Sequence, residues 1–301
     1  MAPKLVVAMP LFNEELYVKQ AIISIQQQTF TDFKLIVLDD GSTDSSRQIV
    51  RQALSSDSRI ELRQNDTNMG NLKCFLDLIK YSSEEFFCWI GSHDIIETDY
   101  LKILVSELEQ NRNLNYSYGH YVYIDESSNE VGRSPKPNLP EHFFMLSRLH
   151  RFFFSIGMSR SNSIHFNGIY RSSILRGFGE RHQSSIIGWD HVVSSLAFYH
   201  GASFKQEAEY KQRVFENRIS TTYTRVVGVE SVLAKLRPSI LHLIRSYLRE
   251  YWNLPESKYR KITMFPTFIF LLKHRYSVKL CRDIYWEGIN IFNILINKVR
   301  R

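Results

Sequence analysis

Cysteine is scarce in this 301-residue chain: Cys74, Cys88 and Cys281 are the only three, and no two form a CxxC pair. Their scarcity excludes a disulfide framework and a cysteine-based zinc site, and fits a reducing, cytoplasmic setting. Proline is also sparse, at eight residues, and with 44% apolar and 13% aromatic residues the composition excludes a disordered or collagen-like chain. The most apolar C-terminal stretch, Ile262 to Leu272, has 11 residues and is interrupted by Pro266. A bilayer-spanning helix needs roughly 20. Met1 to Met9 carries one lysine and lacks the layout of a secretory signal. Neither GxxxxGK[ST] nor GxGxxG occurs, which removes the P-loop and dinucleotide-binding readings.

Charge is present but unevenly placed. Residues 201–301 hold 19 Lys/Arg and 8 Asp/Glu, whereas the first 200 residues hold 19 and 23, so the basic character belongs to the last third. Such a segment suits an anionic membrane surface or a phosphorylated substrate; a solvated basic face is the plain alternative. No nucleic-acid-binding module accompanies it, so nucleic acid is not an expected partner.

Apolar runs of β type alternate with helical patterns from the start of the chain. Lys4 to Met9, Phe33 to Leu38, Arg59 to Arg63 and Glu85 to Ile90 read as strands; Glu14 to Gln27, Thr43 to Leu54, Gly70 to Tyr81 and Asp99 to Asn111 read as helices. This alternation predicts an α/β fold with a mostly parallel sheet and helices on both faces. A strand over Asn115 to Ile124, a helix over Asp190 to Tyr199 ended by Gly201, and an extended run over Ala202 to Val214 follow. From Val229 the pattern is helical, with breaks expected at Pro238, Pro255 and Pro266. The change of pattern divides the chain into an α/β part over 1–228, with halves 1–111 and 112–228, and a helical, basic extension over 229–301.

Ligands of such sheets bind beyond the carboxyl ends of the strands. After the first strand stands Pro10-Leu11-Phe12-Asn13-Glu14-Glu15, and after the second Asp39-Asp40-Gly41-Ser42-Thr43-Asp44. Acidic residues at a strand end can accept hydrogen bonds from a base or a ribose hydroxyl; Asp-Gly-Ser also makes an ordinary tight turn and helix cap.

These two runs, with Asn68-Met69-Gly70 and Trp89-Ile90-Gly91-Ser92-His93-Asp94, resemble the opening of family 2 glycosyltransferases of the GT-A fold, which is Rossmann-like. The resemblance continues through Tyr118-Gly119, Ile124-Asp125-Glu126, Gly168-Ile169-Tyr170-Arg171 and Gly188-Trp189-Asp190, over roughly residues 4 to 215, and implies a catalytic domain over 1–228 with a nucleotide-binding half (1–111) and an acceptor half (112–228). It implies an inverting transferase that moves one sugar from a nucleotide-diphosphate donor, most often a UDP-sugar, to a glycan or lipid-linked acceptor. Pro10, Phe12, Glu14, Asp39, Asp40, Asn68 and Gly70 would surround the nucleotide, and Asp190 would be the general base. Arg171 and Arg213 are candidates for the diphosphate. The motif Gln-x-x-Arg-Trp of processive members is incomplete at Lys211-Gln212-Arg213, so single addition is expected.

The departure from the family lies at its metal motif. Where Asp-x-Asp-Asp is usual, this chain has Gly91-Ser92-His93-Asp94, which leaves one carboxylate. His93 with Asp94 would suit Mn²⁺ better than Mg²⁺. Two alternatives stay open at this stage: a structural histidine with a turn aspartate, which would make the chain a silent nucleotide-sugar-binding protein, and a nucleotidyltransferase, disfavoured because no Gly- and Lys-rich opening follows Met9. In Lys258 to Lys279 an apolar core flanked by cations fits either an interfacial element at the inner face of a membrane or a helical cap on the catalytic domain.

Overall fold

A computed structural model describes residues 2–137, 147–157, 166–176, 178–181, 189–215 and 240–272. The strands are β1 (Leu5–Leu11), β2 (Phe33–Asp39), β3 (Ile60–Gln64), β4 (Phe86–Trp89), β5 (Ile95–Ile96), β6 (Tyr116–Ile124), β7 (Glu130–Arg133), β8 (Ile169–Arg171) and β9 (Ala202–Arg213). The helices are α1 (Val18–Gln26), α2 (Ser46–Ser56), α3 (Asn71–Leu78), α4 (Tyr100–Gln110), α5 (Arg148–Gly157), α6 (Phe178–Arg181), α7 (Trp189–His200) and α8 (Ile240–Asn253). A further helix, α9, covers 258–272.

One sheet runs in the order β3-β2-β1-β4-β8-β6-β9-β5, with β7 paired to β6. β1, β2, β3 and β4 are mutually parallel, and β6 is parallel to β9; β5, β7 and β8 run the other way. All seven residues of β1 are buried because helices cover both faces, which is why its sequence reads as an unbroken apolar run instead of alternating. One face packs Leu5, Val7 and Met9 against Val18, Ala21, Ile22 and Ile25 of α1 and Leu101, Leu104 and Leu108 of α4. The predicted apolar stripe of α1 is the stripe that is buried.

The other face packs Val6, Ala8, Phe87 and Trp89 against α3, α5 and α7, and α8 and α9 join the same core through Tyr247, Tyr251, Phe268 and Leu272. α7 is buried on most sides: Val192, Val193, Leu196, Ala197, Phe198 and Tyr199 all pack inside, and Ser194 and Ser195 are buried with them. The β6/β9 pairing slips between Gly119 and His120, and a Cβ on Gly119 would stand 2.0 Å from the Ala208 carbonyl oxygen, so only glycine admits this bulge.

Two expectations need correction. Pro255 does fall in the break between α8 and α9, but Pro266 breaks nothing, because α9 runs through it. The carbonyl that loses its partner is that of Ile262, one turn earlier, and both residues lie on the exposed side. The helices over Glu14 to Gln27 and Thr43 to Leu54 also start three or four residues later than read, since their leading amides are committed elsewhere. Pro238 and the proposed boundary at 228 lie outside the described residues.

Candidate active site

Strand order reverses at β1: β2 and β3 lie to one side, β4 and β8 to the other. The crevice beyond the carboxyl ends of β1 and β4 is therefore where a ligand is expected. Pro10 helps to open it. The Ile90 amide donates to Ala8 O, so alternation turns the amide position of Pro10 to the same side, where β4 has ended and no acceptor is needed.

The loops after β1 and β2 are knitted to each other. Asn13, at φ +51°, donates its amide to Ser42 Oγ (3.1 Å) and accepts at Oδ1 from the Thr43 amide (2.9 Å). The Glu14 amide donates to Ser46 Oγ (2.7 Å), the Glu15 amide to Asp44 Oδ2 (3.1 Å), and the Ser45 amide to Glu15 Oε2 (2.9 Å). These bonds are what delay the starts of α1 and α2. Gly41, at φ +76°, lies so close to the 67–68 backbone that a Cβ would stand 3.0 Å from the Asn68 nitrogen.

The adjacent acids Asp39 and Asp40 have different tasks. Asp40 is buried and accepts from Asn65 Nδ2 (2.7 Å), the Met69 amide (2.9 Å) and the Gly70 amide (2.9 Å), so it shapes the 65–70 loop. These three hydrogen bonds hold the loop, and Oδ2 keeps one lone pair for the base or ribose contact expected of it. Asp39, fully buried, accepts from the Ser42 amide (2.9 Å) and from Arg47 Nε (2.6 Å). Arg47 was not singled out by the sequence reading; its signal was a lone cation closing a run of acidic and hydroxyl residues from Asp39 to Ser46. Asn68 is exposed and caps the Gly70 amide through Oδ1 (2.8 Å), while Phe12 is half-buried and Gly70 lies at φ +89°.

Across the crevice, His93 Nδ1 lies 3.1 Å from Glu14 Oε1, joining the β4 loop to the β1 loop. His93 Nε2 lies 3.8 Å from Asp94 Oδ1. Asp94 is buried, accepting at Oδ2 from Tyr210 Oη (2.7 Å) and at Oδ1 from the Arg213 amide (2.9 Å). Tyr210 Oη in turn accepts from the Gly91 amide (3.0 Å) and from Asn167 Nδ2 (3.1 Å). Asn167 also donates to Trp89 O (3.1 Å) and accepts from Tyr121 Oη. Burial pushes the phenols of Tyr121 and Tyr210 far above their ordinary range, so both remain neutral donors. This network was not legible in the sequence, because Tyr121, Asn167 and Tyr210 carry no motif.

As a test for a metal, this donor set is incomplete. Among the described residues no three His, Cys, Asp or Glu side chains are grouped to hold an ion. Asp94 and His93 supply one oxygen and one imidazole nitrogen, and each Asp94 oxygen, having accepted one hydrogen bond, retains a lone pair. The pair fits a cation that takes its remaining ligands from elsewhere.

Both candidate diphosphate arginines are occupied. Arg213 donates through Nε to His93 O (3.0 Å), through Nη1 to Asp125 O (2.6 Å) and Glu126 O (3.0 Å), and through Nη2 to Gln20 Oε1 (2.9 Å) and Ser128 Oγ (3.0 Å). A guanidinium has five N–H groups, so none is left for a ligand. Arg171 pairs with Phe86, at the amino end of β4, and donates to Leu114 O (3.0 Å) and Glu85 Oε1 (2.9 Å). It lies at the foot of the sheet, opposite the crevice, and the diphosphate assignment is corrected for both residues.

Asp190 stands in the first turn of α7, half-buried. α7 ends at His200 just before β9 starts opposite the amino end of β6, and its 12 residues span about 18 Å, which carries Asp190 to the carboxyl edge of the sheet. Its charge adds to the upward push that burial exerts on the Tyr170 phenol, whose ring meets Trp89 at 5.6 Å.

The profile of "Glycosyl transferase family 2" matches residues 6–178, more than half of the chain. An Escherichia coli relative described as "UDP-Glc:alpha-D-GlcNAc-diphosphoundecaprenol beta-1,3-glucosyltransferase WfgD" is 33% identical over 122 residues, which is 40% of this chain and 47% of the relative. A Campylobacter jejuni "GalNAc(5)-diNAcBac-PP-undecaprenol beta-1,3-glucosyltransferase" is 35% identical over 120 residues, 38% of this chain and 37% of that one. The matched stretch thus spans about half or less of these relatives. The crystal structure of S. aureus TarS 1-349 in complex with UDP-GlcNAc superposes with a TM-score of 0.60 at 17% identity, over 92% of this chain and 76% of that one, which is a likeness of fold. With the profile matched from β1 into α6, this chain belongs to glycosyl transferase family 2.

Proposed function

We propose that this glycosyltransferase moves one hexose, with inversion, from a UDP-sugar to a glycan carried on a lipid diphosphate, in the synthesis of a surface polysaccharide or glycoconjugate. The carrying observation is the crevice itself, where Glu14, His93 and Asp94 meet beyond β1 and β4 while α7 brings Asp190 to the same edge of the sheet. The printed activities of the E. coli and C. jejuni relatives support an undecaprenol-diphosphate-linked acceptor, and the UDP-GlcNAc complex of TarS supports a UDP-sugar donor. Peripheral placement at the inner face of a membrane follows from such an acceptor.

In this reading Phe12, Asp39 and Asn68 flank the nucleotide, with Asp39 oriented by Arg47. The acceptor hydroxyl gives its proton to the Asp190 carboxylate as its oxygen attacks the anomeric carbon; the bond from that carbon to the diphosphate oxygen breaks, and UDP leaves. Asp94 and His93 would hold a divalent cation, Mn²⁺ in preference to Mg²⁺, completed by diphosphate oxygens and water. When bound, it would neutralise charge on the leaving group. Since Arg171 and Arg213 are committed, that neutralisation rests on the cation and on the end of the crevice near His93.

The test is release of UDP from a panel of UDP-sugars with Mn²⁺, Mg²⁺ or chelator. Metal-dependent release that falls about 100-fold or more in Asp190→Asn, with donor binding and melting temperature kept, is the expected result. Near-normal turnover in that variant would remove Asp190 as the base. Donor binding without any turnover would favour a silent nucleotide-sugar-binding protein, the reading to which the single carboxylate of Gly91-Ser92-His93-Asp94 lends support.

A further inference from the structure

Helix α9 is apolar on two opposite sides. Its inner side places Phe268 and Leu272 in the core, with Met264, Phe265 and Leu271 packed against it. Its outer side carries Tyr259, Ile262, Pro266 and Ile269, at steps of three, four and three residues, which is one stripe of a helix. Tyr259 is 79% exposed, Ile262 54% and Ile269 39%. A helix needs a single apolar stripe to join a core, so the packing among the described residues does not account for the second. Trp252, 44% exposed, stands one short turn away at the end of α8.

The segment that carries this stripe is net positive. Residues 240–272 contain five Lys/Arg and two Glu. Both acids are engaged with cations: Glu250 is buried on Arg181 (2.8 Å), and Glu256 pairs with Arg260 (3.1 Å). Arg245, Arg249 and Lys258 are left exposed.

We infer that the outer stripe of α9 is the surface by which this protein seats on an anionic lipid bilayer. Ile262 and Ile269 enter the acyl boundary, Tyr259 and Trp252 take the headgroup level favoured by amphipathic rings, and the cations meet lipid phosphates. A second copy of the chain would also cover an apolar stripe, but a twofold interface would bring these like charges face to face. The inference rests on the lipid-linked acceptor of the proposed function, since it puts the protein where that acceptor is held.

The test uses the full chain without donor or acceptor, so that its failure is separate from failure of the transfer reaction. Flotation with phosphatidylglycerol-containing vesicles is compared with flotation on pure phosphatidylcholine, at low and high salt, for the native sequence and for Ile262→Asp/Ile269→Asp. Expected are binding to the anionic vesicles only, weakening with salt, and an affinity lower by about tenfold or more in the double variant at unchanged melting temperature. UDP-sugar hydrolysis in solution stays at its native rate. The inference is overturned if native protein ignores anionic vesicles, if the double variant floats equally well, or if the native chain is a dimer that the variant splits.

Discussion

Tyr210 Oη donates to Asp94 Oδ2 at 2.7 Å while accepting from the Gly91 amide at 3.0 Å, so one phenol from β9 fixes both ends of the loop that follows β4. The hydroxyl has a single proton, and with two donors already pointing at its oxygen the proton must go to the carboxylate. The direction of the Asp94 bond is thereby settled by valence alone.

Replacing Tyr210 with Phe strands three buried partners: Asp94 Oδ2, the Gly91 amide and one bond of Asn167 Nδ2. The expected loss is about 1–3 kcal/mol of stability, read as a lower denaturant midpoint. Asp94 also loses its orientation, so UDP release falls by more than the folded fraction does. A variant that loses stability but keeps full activity per folded molecule would show that Tyr210 has no part in positioning Asp94.

The change Asp40→Asn turns one acceptor oxygen into a donor facing either the Gly70 amide or the Met69 amide together with the amide group of Asn65. A cost of about 1–3 kcal/mol is expected, concentrated in residues 65–70. Hydrogen exchange followed by peptide should show this loop deprotected while β1 and β2 keep their protection. Uniform loss across the sheet would contradict the loop-shaping role given to Asp40.

Burial, reinforced by Arg148 and Arg151, holds the His200 imidazole down at about 4, against an ordinary 6.5. In that interval the unfolded chain binds the proton and the folded one does not, so stability rises with pH through the window and is lost as pH falls from about 6.5 toward 4. The effect is at most about 3 kcal/mol. Urea midpoints of the native chain and of His200→Gln at about pH 7 and about pH 5 isolate it: the variant should show the shallower fall. Parallel curves would assign the acid sensitivity to carboxylates alone.

Much of the nucleotide-binding half was legible because its signals are local. Alternating apolar runs became β1 to β4, and the stripe Val18, Ala21, Ile22, Ile25 became the buried side of α1. The motif runs after β1 and β2 lie at the carboxyl edge of the sheet, but a motif does not say whether a polar atom faces a ligand or another motif. Asn13 and Ser46 brace the loops after β1 and β2 against each other, and Asp40 holds the 65–70 loop, through bonds between residues about 30 positions apart. The arginines failed for a related reason: a charge suggests a ligand until its donors are counted. β5, β7 and β8 escaped notice because strands of two to four residues contain too little sequence for a period to show.

The sheet face that carries Trp89 does not end where the family profile ends. Residue 178 begins α6, yet Arg181 of that helix grips Glu250 of α8, and Phe152 and Phe153 of α5 meet Tyr247, Tyr251 and Phe268 ring to ring. A gene trimmed to the profile would leave those rings facing water, and an insoluble product would say nothing about catalysis. What is inherited as a recognisable segment and what holds together as a solid are here two different lengths of chain.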